Sequence, residues 1–301
     1  MRVLLLLAAV GAVAAQAYAQ APIPGPEVEQ TVVRHDEDWS VLRGEPREGW
    51  QRAKYVLLDA RGDTWLTLGG ETRARFERFD NNQWGEAPAS DDGYLWHRTM
   101  AHTDVRAGPG RAFVQLIAGY ARGVGGGNGP ADETGIDLLQ GFADLRLDLG
   151  DAASLTLRGG RELVSLGSGR LLSTRYGLNI PQAFDGAHAI AVYGPLRIEA
   201  FHLRPVANGE DDFDDATSKA RRLDGIYATI APAPDIGVDA YWFGYANEQA
   251  RFTRRTGREA RDTFGLRFFG RRGDFGWDWE AIIQRGRFNG QRIRAWSLAT
   301  E

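Results

Sequence analysis

Residues 65–79 read WLTLGGETRARFERF, a stretch in which apolar or small residues alternate with polar ones. The even positions from 66 to 76 hold Leu, Leu, Gly, Thr, Ala and Phe. Successive side chains of a β-strand point to opposite faces, so a period of two with charge on one side predicts a strand with one apolar and one water-facing side. The water-facing set is Thr67, Glu71, Arg73, Arg75 and Glu77.

The same alternation recurs along the rest of the chain. In the segment 139–149 it assigns Leu139 to the apolar face and Gln140 to the water-facing one. Counting every such segment predicts about twelve strands. The segments after the first are 94–107, 111–120, 139–149, 154–162, 184–193, 196–204, 223–230, 237–245, 262–270, 275–288 and 293–300.

The connections between these segments alternate in length. Tight turns at 108–110 and 150–153 are followed by long polar stretches such as 122–135 and 163–183. Further long polar loops are predicted at 205–222 and 246–261. Bacterial barrels combine short periplasmic turns with long extracellular loops. The sequence therefore predicts an all-β fold, an antiparallel transmembrane β-barrel of the outer-membrane type.

The composition allows this fold and excludes another. The mean hydropathy is −0.37 and 25% of the residues are charged, and no long apolar run occurs after residue 19. A helical membrane protein is therefore excluded, whereas a barrel averages to a polar composition because lipid-facing and lumen-facing residues alternate. Cysteine is absent from the sequence, so no disulfide is expected.

The two ends of the sequence carry their own signals. Arg2, an apolar run over 3–13 and the triplet Ala-Tyr-Ala at 17–19 predict a signal peptide over 1–19. Residues 20–63 lack periodicity and are expected to form an N-terminal lead-in, with the barrel over 64–301. Because the chain stops within an alternating segment, we expect further strands beyond residue 301. The expected location is the cell outer membrane of a Gram-negative bacterium.

Three sets of motifs resemble the alginate-export family of outer-membrane porins. The resemblance implies a barrel of about 18 strands that passes an anionic exopolysaccharide through an arginine-lined lumen. It also supports the expectation of further strands, because about twelve are fewer than the family barrel needs. The motifs are DEDWS at 36–40, AKYVLL at 53–58 and LTLGGETR at 66–73; GREL at 160–163, GSGRL at 167–171, RYGLN at 175–179 and FDG at 184–186; and RAW at 294–296.

Arginine is the candidate substrate-binding residue, because its planar guanidinium suits carboxylates and rings of fixed charge select ions in pores. Arginines that only form ion pairs across a wet lumen would serve solvation instead, and the sequence leaves both roles open. Alternation places Arg73, Arg75, Arg98, Arg106, Arg146, Arg158 and Arg267 inside the lumen together with Glu71 and Glu162, and the resemblance adds Arg161, Arg175 and Asp185.

Other functions find little support in the sequence. The five histidines show no metal-ligand spacing, and the glycine-rich stretches match neither a nucleophile elbow nor a phosphate loop. We therefore expect no catalytic residue, metal, cofactor or nucleic-acid partner. The expected partners are an anionic polysaccharide and outer-membrane lipid, with periplasmic polysaccharide-export components as further candidates. Two alternatives remain: a general or small-solute porin, and a soluble exported β-rich polysaccharide-binding protein or lyase.

Overall fold

The computed structural model describes residue 28 and residues 30–85, 91–233, 235–252 and 255–301, so the predicted signal peptide lies outside the described residues. Fourteen antiparallel strands form one sheet, ordered along the chain apart from β9, which pairs only with β8. The strands are β1 (Val56–Leu57), β2 (Thr64–Phe79), β3 (Asp92–Ala107), β4 (Gly110–Arg122), β5 (Gly135–Asp148), β6 (Ala153–Leu163), β7 (Ala183–Tyr193), β8 (Leu196–Ala207), β9 (Ala216–Thr217), β10 (Arg221–Ala233), β11 (Ile236–Phe252), β12 (Arg255–Arg272), β13 (Phe275–Phe288) and β14 (Gln291–Thr300).

Twelve of these strands are long, and each contains one of the segments found by alternation, except that β5 ends one residue before the end of the segment 139–149. The predicted all-β antiparallel fold of the barrel type is therefore confirmed. Short turns join β3 to β4, β5 to β6, β7 to β8 and β12 to β13 at one end of the sheet, which we call the turn end. Long connections such as 164–182 lie at the opposite end, the loop end. The described part of the chain contains no helix long and apolar enough to cross a membrane.

The two faces of the sheet have the reverse of the polarity found in soluble proteins. On the outer face, large apolar side chains such as Leu68, Leu145 and Leu266 are exposed. On the inner face, polar side chains such as Arg98 and Asp239 are almost fully buried. Large exposed apolar patches are rare on soluble monomers. An apolar outer band around a polar interior is instead the pattern of a membrane barrel.

A β-bulge in β5 corrects one predicted face. Gln115 of β4 pairs with Gln140, whereas its neighbour Leu116 pairs with Leu138, so Leu139 is an extra residue in the ladder. The side chain of Leu139 is 3% exposed and packs in an inner-face cluster. Its assignment to the outer apolar face was wrong, because alternation counts one residue per position and a bulge adds one.

The predicted loop at 246–261 is also wrong. β11 continues to Phe252 and β12 begins at Arg255, so most of this stretch is a two-stranded extension of the sheet at the loop end. Beyond an apolar band both faces of a hairpin contact water. Such strands need no alternation, and the sequence pattern that identifies the others is absent there.

Two further parts of the chain lie against the inner face. The first, residues 30–57, contains three short 3₁₀ turns, ends in β1, which joins the sheet, and is called the inner segment here. Its Trp39, Leu42 and Tyr55 pack on Trp65 of β2, near the turn end. The second is the connection 164–182, the crossing loop, whose buried apolar residues pack on aromatic side chains of β8, β10 and β11. Together they position the candidate site.

Candidate functional site

The tip of the crossing loop is held by three arginines of β2 and β3. Arg73 donates to the carbonyl oxygens of Tyr176 at 3.2 Å and of Leu178 at 2.6 Å. Arg98 donates to the same two oxygens at 3.1 and 3.0 Å. Arg75 donates to the carbonyl oxygen of the intervening glycine at 2.8 Å. Three arginines predicted to face the lumen therefore converge on the backbone of one loop.

Glu71 joins this loop tip to the rest of the inner face. Its carboxylate accepts hydrogen bonds from Arg98 at 2.8 Å and from Arg34 of the inner segment at 3.0 Å, and also from the Tyr176 hydroxyl. The Arg98 guanidinium lies 4.0 Å from the centre of the Tyr176 ring. Burial and the Glu71 carboxylate raise the pKa of Tyr176, so its hydroxyl stays protonated as a donor. One carboxylate thus connects the strand, the inner segment and the crossing loop.

A second polar cluster surrounds Arg158 of β6. Its guanidinium forms a bidentate pair with Asp144 at 2.8 and 2.9 Å and reaches Glu162 at 2.9 Å. It also stacks over the Phe142 ring at 3.9 Å. Bidentate pairs fix both direction and distance. This predicted site arginine is therefore held in place by two carboxylates.

His35 of the inner segment inserts into the Arg158 cluster. Its Nδ1 lies 2.9 Å from the Gln140 side-chain oxygen, and its Nε2 lies 2.9 Å from an Arg158 nitrogen. Burial, and then the charges of Arg158 and Arg111, hold the pKa of His35 well below its ordinary value of 6.5. The imidazole is therefore neutral, with Nδ1–H donating to Gln140 and Nε2 accepting from Arg158.

The far side of the crossing loop is attached to β13. Arg170 donates to Glu280 at 2.8 Å and to Asp278 at 3.3 Å. Gly167 has a φ of +56°, and a Cβ there would lie 2.1 Å from the Tyr227 hydroxyl oxygen. Only glycine fits this close approach without displacement. The loop therefore spans the inner face from β2 and β3 to β13.

The sequence was compared with models of protein families. The family model described as "Alginate export" matches residues 64–301. The chain belongs to the alginate-export family. No curated protein sequence matches it. The family is one of polysaccharide-export proteins and not a family of enzymes.

Two other predicted site residues, Arg106 and Arg267, form ion pairs on the inner face. Arg106 contacts Asp104 at 3.4 Å, and its guanidinium lies 5.1 Å from the Trp65 ring centre. Arg267 binds Asp278 at 2.7 Å and Asp239 at 2.9 Å. Arg106 lies on β3, near the first strand of the sheet, and Arg267 lies on β12, near the last strand.

The remaining predicted residues do not join these clusters. Arg146 lies near the turn end, pairs with Asp148 at 2.9 Å, and its side chain is 62% exposed. Arg161 binds Asp185 at 2.8 Å and the Leu138 carbonyl oxygen at 3.0 Å, next to the connection between β8 and β10. Arg175 is exposed and lines a cavity of about 340 Å³ beside the loop tip.

Sequence reasoning missed His35 and Arg170 as members of the site. His35 is one of five histidines without metal-ligand spacing, and it directly precedes the DEDWS motif without belonging to it. Arg170 lies within the GSGRL motif, so the resemblance held a signal for it. Neither residue belongs to a long strand, and alternation therefore gave no information about their direction.

One acidic group among the described residues has the spacing of metal ligands. Carboxylate oxygens of Asp137, Asp214 and Asp215 lie within 4.8 Å of one another. The Asp215 carboxylate accepts from the Thr134 hydroxyl at 3.0 Å and from the Gly209 amide at 2.9 Å, and burial raises the pKa of Asp215. These bonds hold the connection between β8 and β10 in place, and they account for the cluster without an ion.

Proposed function

We propose that this protein is an outer-membrane channel that exports an anionic polysaccharide such as alginate through an arginine-lined lumen. The observation that carries the proposal is the bonding of Arg73. Its partners are neutral backbone carbonyls, and its buried Nε has no hydrogen-bond partner among the described residues. A carboxylate carries the opposite charge and can accept two parallel hydrogen bonds from one guanidinium, which a backbone carbonyl cannot do. A uronate carboxylate can therefore replace the loop carbonyls at Arg73.

The exchange suggests how the polymer passes. A carboxylate of the polymer binds Arg73 and Arg75, and the tip of the crossing loop loses its bonds to these two arginines. Glu71 and Glu77 lie beside these arginines and contact Arg98 and Arg75. Their negative charge limits how long the polymer carboxylate stays, and conduction requires binding weak enough to release. Successive uronate carboxylates of the polymer then bind and leave these arginines in turn.

Placement in the outer membrane is part of the proposal. The exposed apolar outer face and the polar inner face support it, as does family membership. Outer-membrane lipid would then cover the apolar band, and periplasmic polysaccharide-export components would deliver the polymer at the turn end. A soluble β-rich lyase would instead be recovered without detergent, and membrane fractionation separates the two.

A general porin is the second candidate function. It is favoured by the pairing of Arg158 and Arg267 with two carboxylates each, because such pairs neutralise the lumen. A small-solute porin would use them only to keep the interior wet. Its ion selectivity would not depend on Arg73.

The ratio of anion to cation permeability, measured in planar bilayers, tests the proposal. The double variant Arg73→Gln/Arg75→Gln removes two inner charges, and we expect the ratio to fall severalfold. Arg78→Gln is the control, because Arg78 lies on the same strand, is exposed and, among the described residues, pairs only with Asp80. An unchanged ratio in the double variant would favour the general porin.

A further inference from the structure

An unusual group of charges lies on the outer face of the β13–β14 hairpin. Arg285 is directly opposite Arg294, and Arg287 is directly opposite Arg292. All four residues are exposed. Directly opposite residues on one face of an antiparallel pair have Cβ atoms about 4.5–5.5 Å apart. Four positive charges therefore share one small area.

These four arginines lack the carboxylate partners that nearby arginines have. On β12, Arg258 pairs with Glu248 and Arg261 with Glu259. Within the described residues, none of the four hairpin arginines forms an ion pair at 4.0 Å or less. The nearest acid in the ladder is Asp262, opposite Arg285 across β12 and β13, and it accepts a hydrogen bond from Trp242 at 3.0 Å instead. Like charges directly opposite each other destabilise a sheet, so a bound anion would stabilise this cluster.

The surroundings of the cluster limit what that anion can be. On the same face, one step nearer the turn end, Ile283 lies opposite Trp296. Leu298 follows Trp296 on that face, and all three side chains are exposed. The positive charges thus stand at the loop-end border of an apolar surface. Indole rings favour the level of lipid headgroups, and guanidinium groups bind phosphate in bidentate fashion.

We propose that the four arginines bind the phosphate-bearing headgroup of a lipid in the leaflet at the loop end. The acyl chains of that lipid lie on Ile283, Trp296 and Leu298, and its phosphate oxygens accept hydrogen bonds from the guanidinium groups. A lipid is the expected ligand because the four arginines directly border the apolar surface. This proposal rests on the membrane placement given in the proposed function and not on what passes through the lumen.

Lipid binding in nanodiscs tests this site. The protein is reconstituted in phosphatidylcholine nanodiscs titrated with lipid A, a phosphorylated glycolipid, and bound lipid A is counted by native mass spectrometry. We expect Arg285→Gln/Arg294→Gln to weaken binding about tenfold or more, the effect of losing charge-assisted contacts. The affinity of the wild-type protein should also fall as salt is raised.

Two matched variants make the test specific. Arg78→Gln/Arg122→Gln removes two separated outer-face arginines at the same end of the sheet and should change binding less than about twofold. Arg285→Lys/Arg294→Lys keeps the charge but loses the bidentate guanidinium, and its binding should lie between that of the wild type and that of the Gln variant.

Three outcomes would overturn the proposal: equal binding by the Gln variant and the control, wild-type binding that does not respond to salt, or complete displacement of lipid A by inorganic phosphate. The last would indicate a free-anion site. Ion selectivity measured on the same samples reports separately on the proposed function.

Discussion

Arg98→Met should release the crossing loop, which spans the inner face, and so widen the path through the lumen. Arg98 is 0% exposed, and its guanidinium joins Glu71 to three carbonyl oxygens of residues 176–179. Breaking a buried ion pair costs about 3–5 kcal/mol. Most of that cost falls equally on the docked and released states of the loop, because Glu71 stays on β2 in both. Only the bonds to the loop distinguish these states.

The loop bonds set the size of the effect. The contacts to Tyr176 and Leu178 are 3.1 and 3.0 Å long, and the contact to Asn179 is 3.4 Å. A hydrogen bond to a charged group contributes about 1.5–3 kcal/mol. The two shorter bonds come from the same guanidinium nitrogen. Counting them as one effective bond gives about 1.5–3 kcal/mol, or roughly a 12- to 140-fold shift towards the released loop.

Single-channel recording in planar bilayers measures this shift as the ratio of open to closed time. Arg146→Met is the control, because Arg146 is exposed and its one ion pair within the described part of the chain is with Asp148. Equal open probability in Arg98→Met and the wild type would refute the reasoning, provided that both proteins show the same heat-modifiable gel mobility.

Three further predictions concern other parts of the structure. Because its pKa is lowered, neutral His35 favours docking above about pH 6.5; as the pH falls below this value the released inner segment takes up the proton. Hydrogen exchange of residues 30–57, corrected for intrinsic rates, should therefore rise as the pH falls below that value. His35→Gln should abolish this pH dependence. Gly167→Ala should displace the loop from Tyr227 and raise open time; unchanged gating would contradict the close approach. Leu266→Arg on the outer face should cost about 2–4 kcal/mol of unfolding free energy in bilayers, against about 0–1 for Leu149→Arg near the turn end; equal small costs would contradict the lipid-facing assignment.

The strands could be predicted from sequence because the fold separates lipid from water across a single sheet. Each of the twelve long strands contains a segment with a period of two, and the tight turns carry their own glycine and proline signals. The pattern failed where that separation ends, as in the hairpin extension over 246–261. It also failed at Leu139, where a bulge shifts the count by one.

The site was harder to predict than the fold. Alternation correctly directed Arg73 and Arg98 inward, but it could not name their partners. Those partners lie in the crossing loop, about a hundred residues away for Arg73 and nearly eighty for Arg98. His35 reaches Arg158 across 123 positions of sequence. Such contacts depend on how the chain returns through the interior, and local periodicity carries no information about that path.

In the proposed function, arginines of the inner face conduct an anionic polymer. Efflux of a fluorescent oligouronate from proteoliposomes, compared with a neutral oligosaccharide of the same length, tests it most directly. We predict faster efflux of the oligouronate through the wild-type protein, and a severalfold loss of that difference in Arg73→Gln/Arg75→Gln but not in Arg78→Gln. Equal efflux of both oligomers, or a preference that survives the double substitution, would contradict the account.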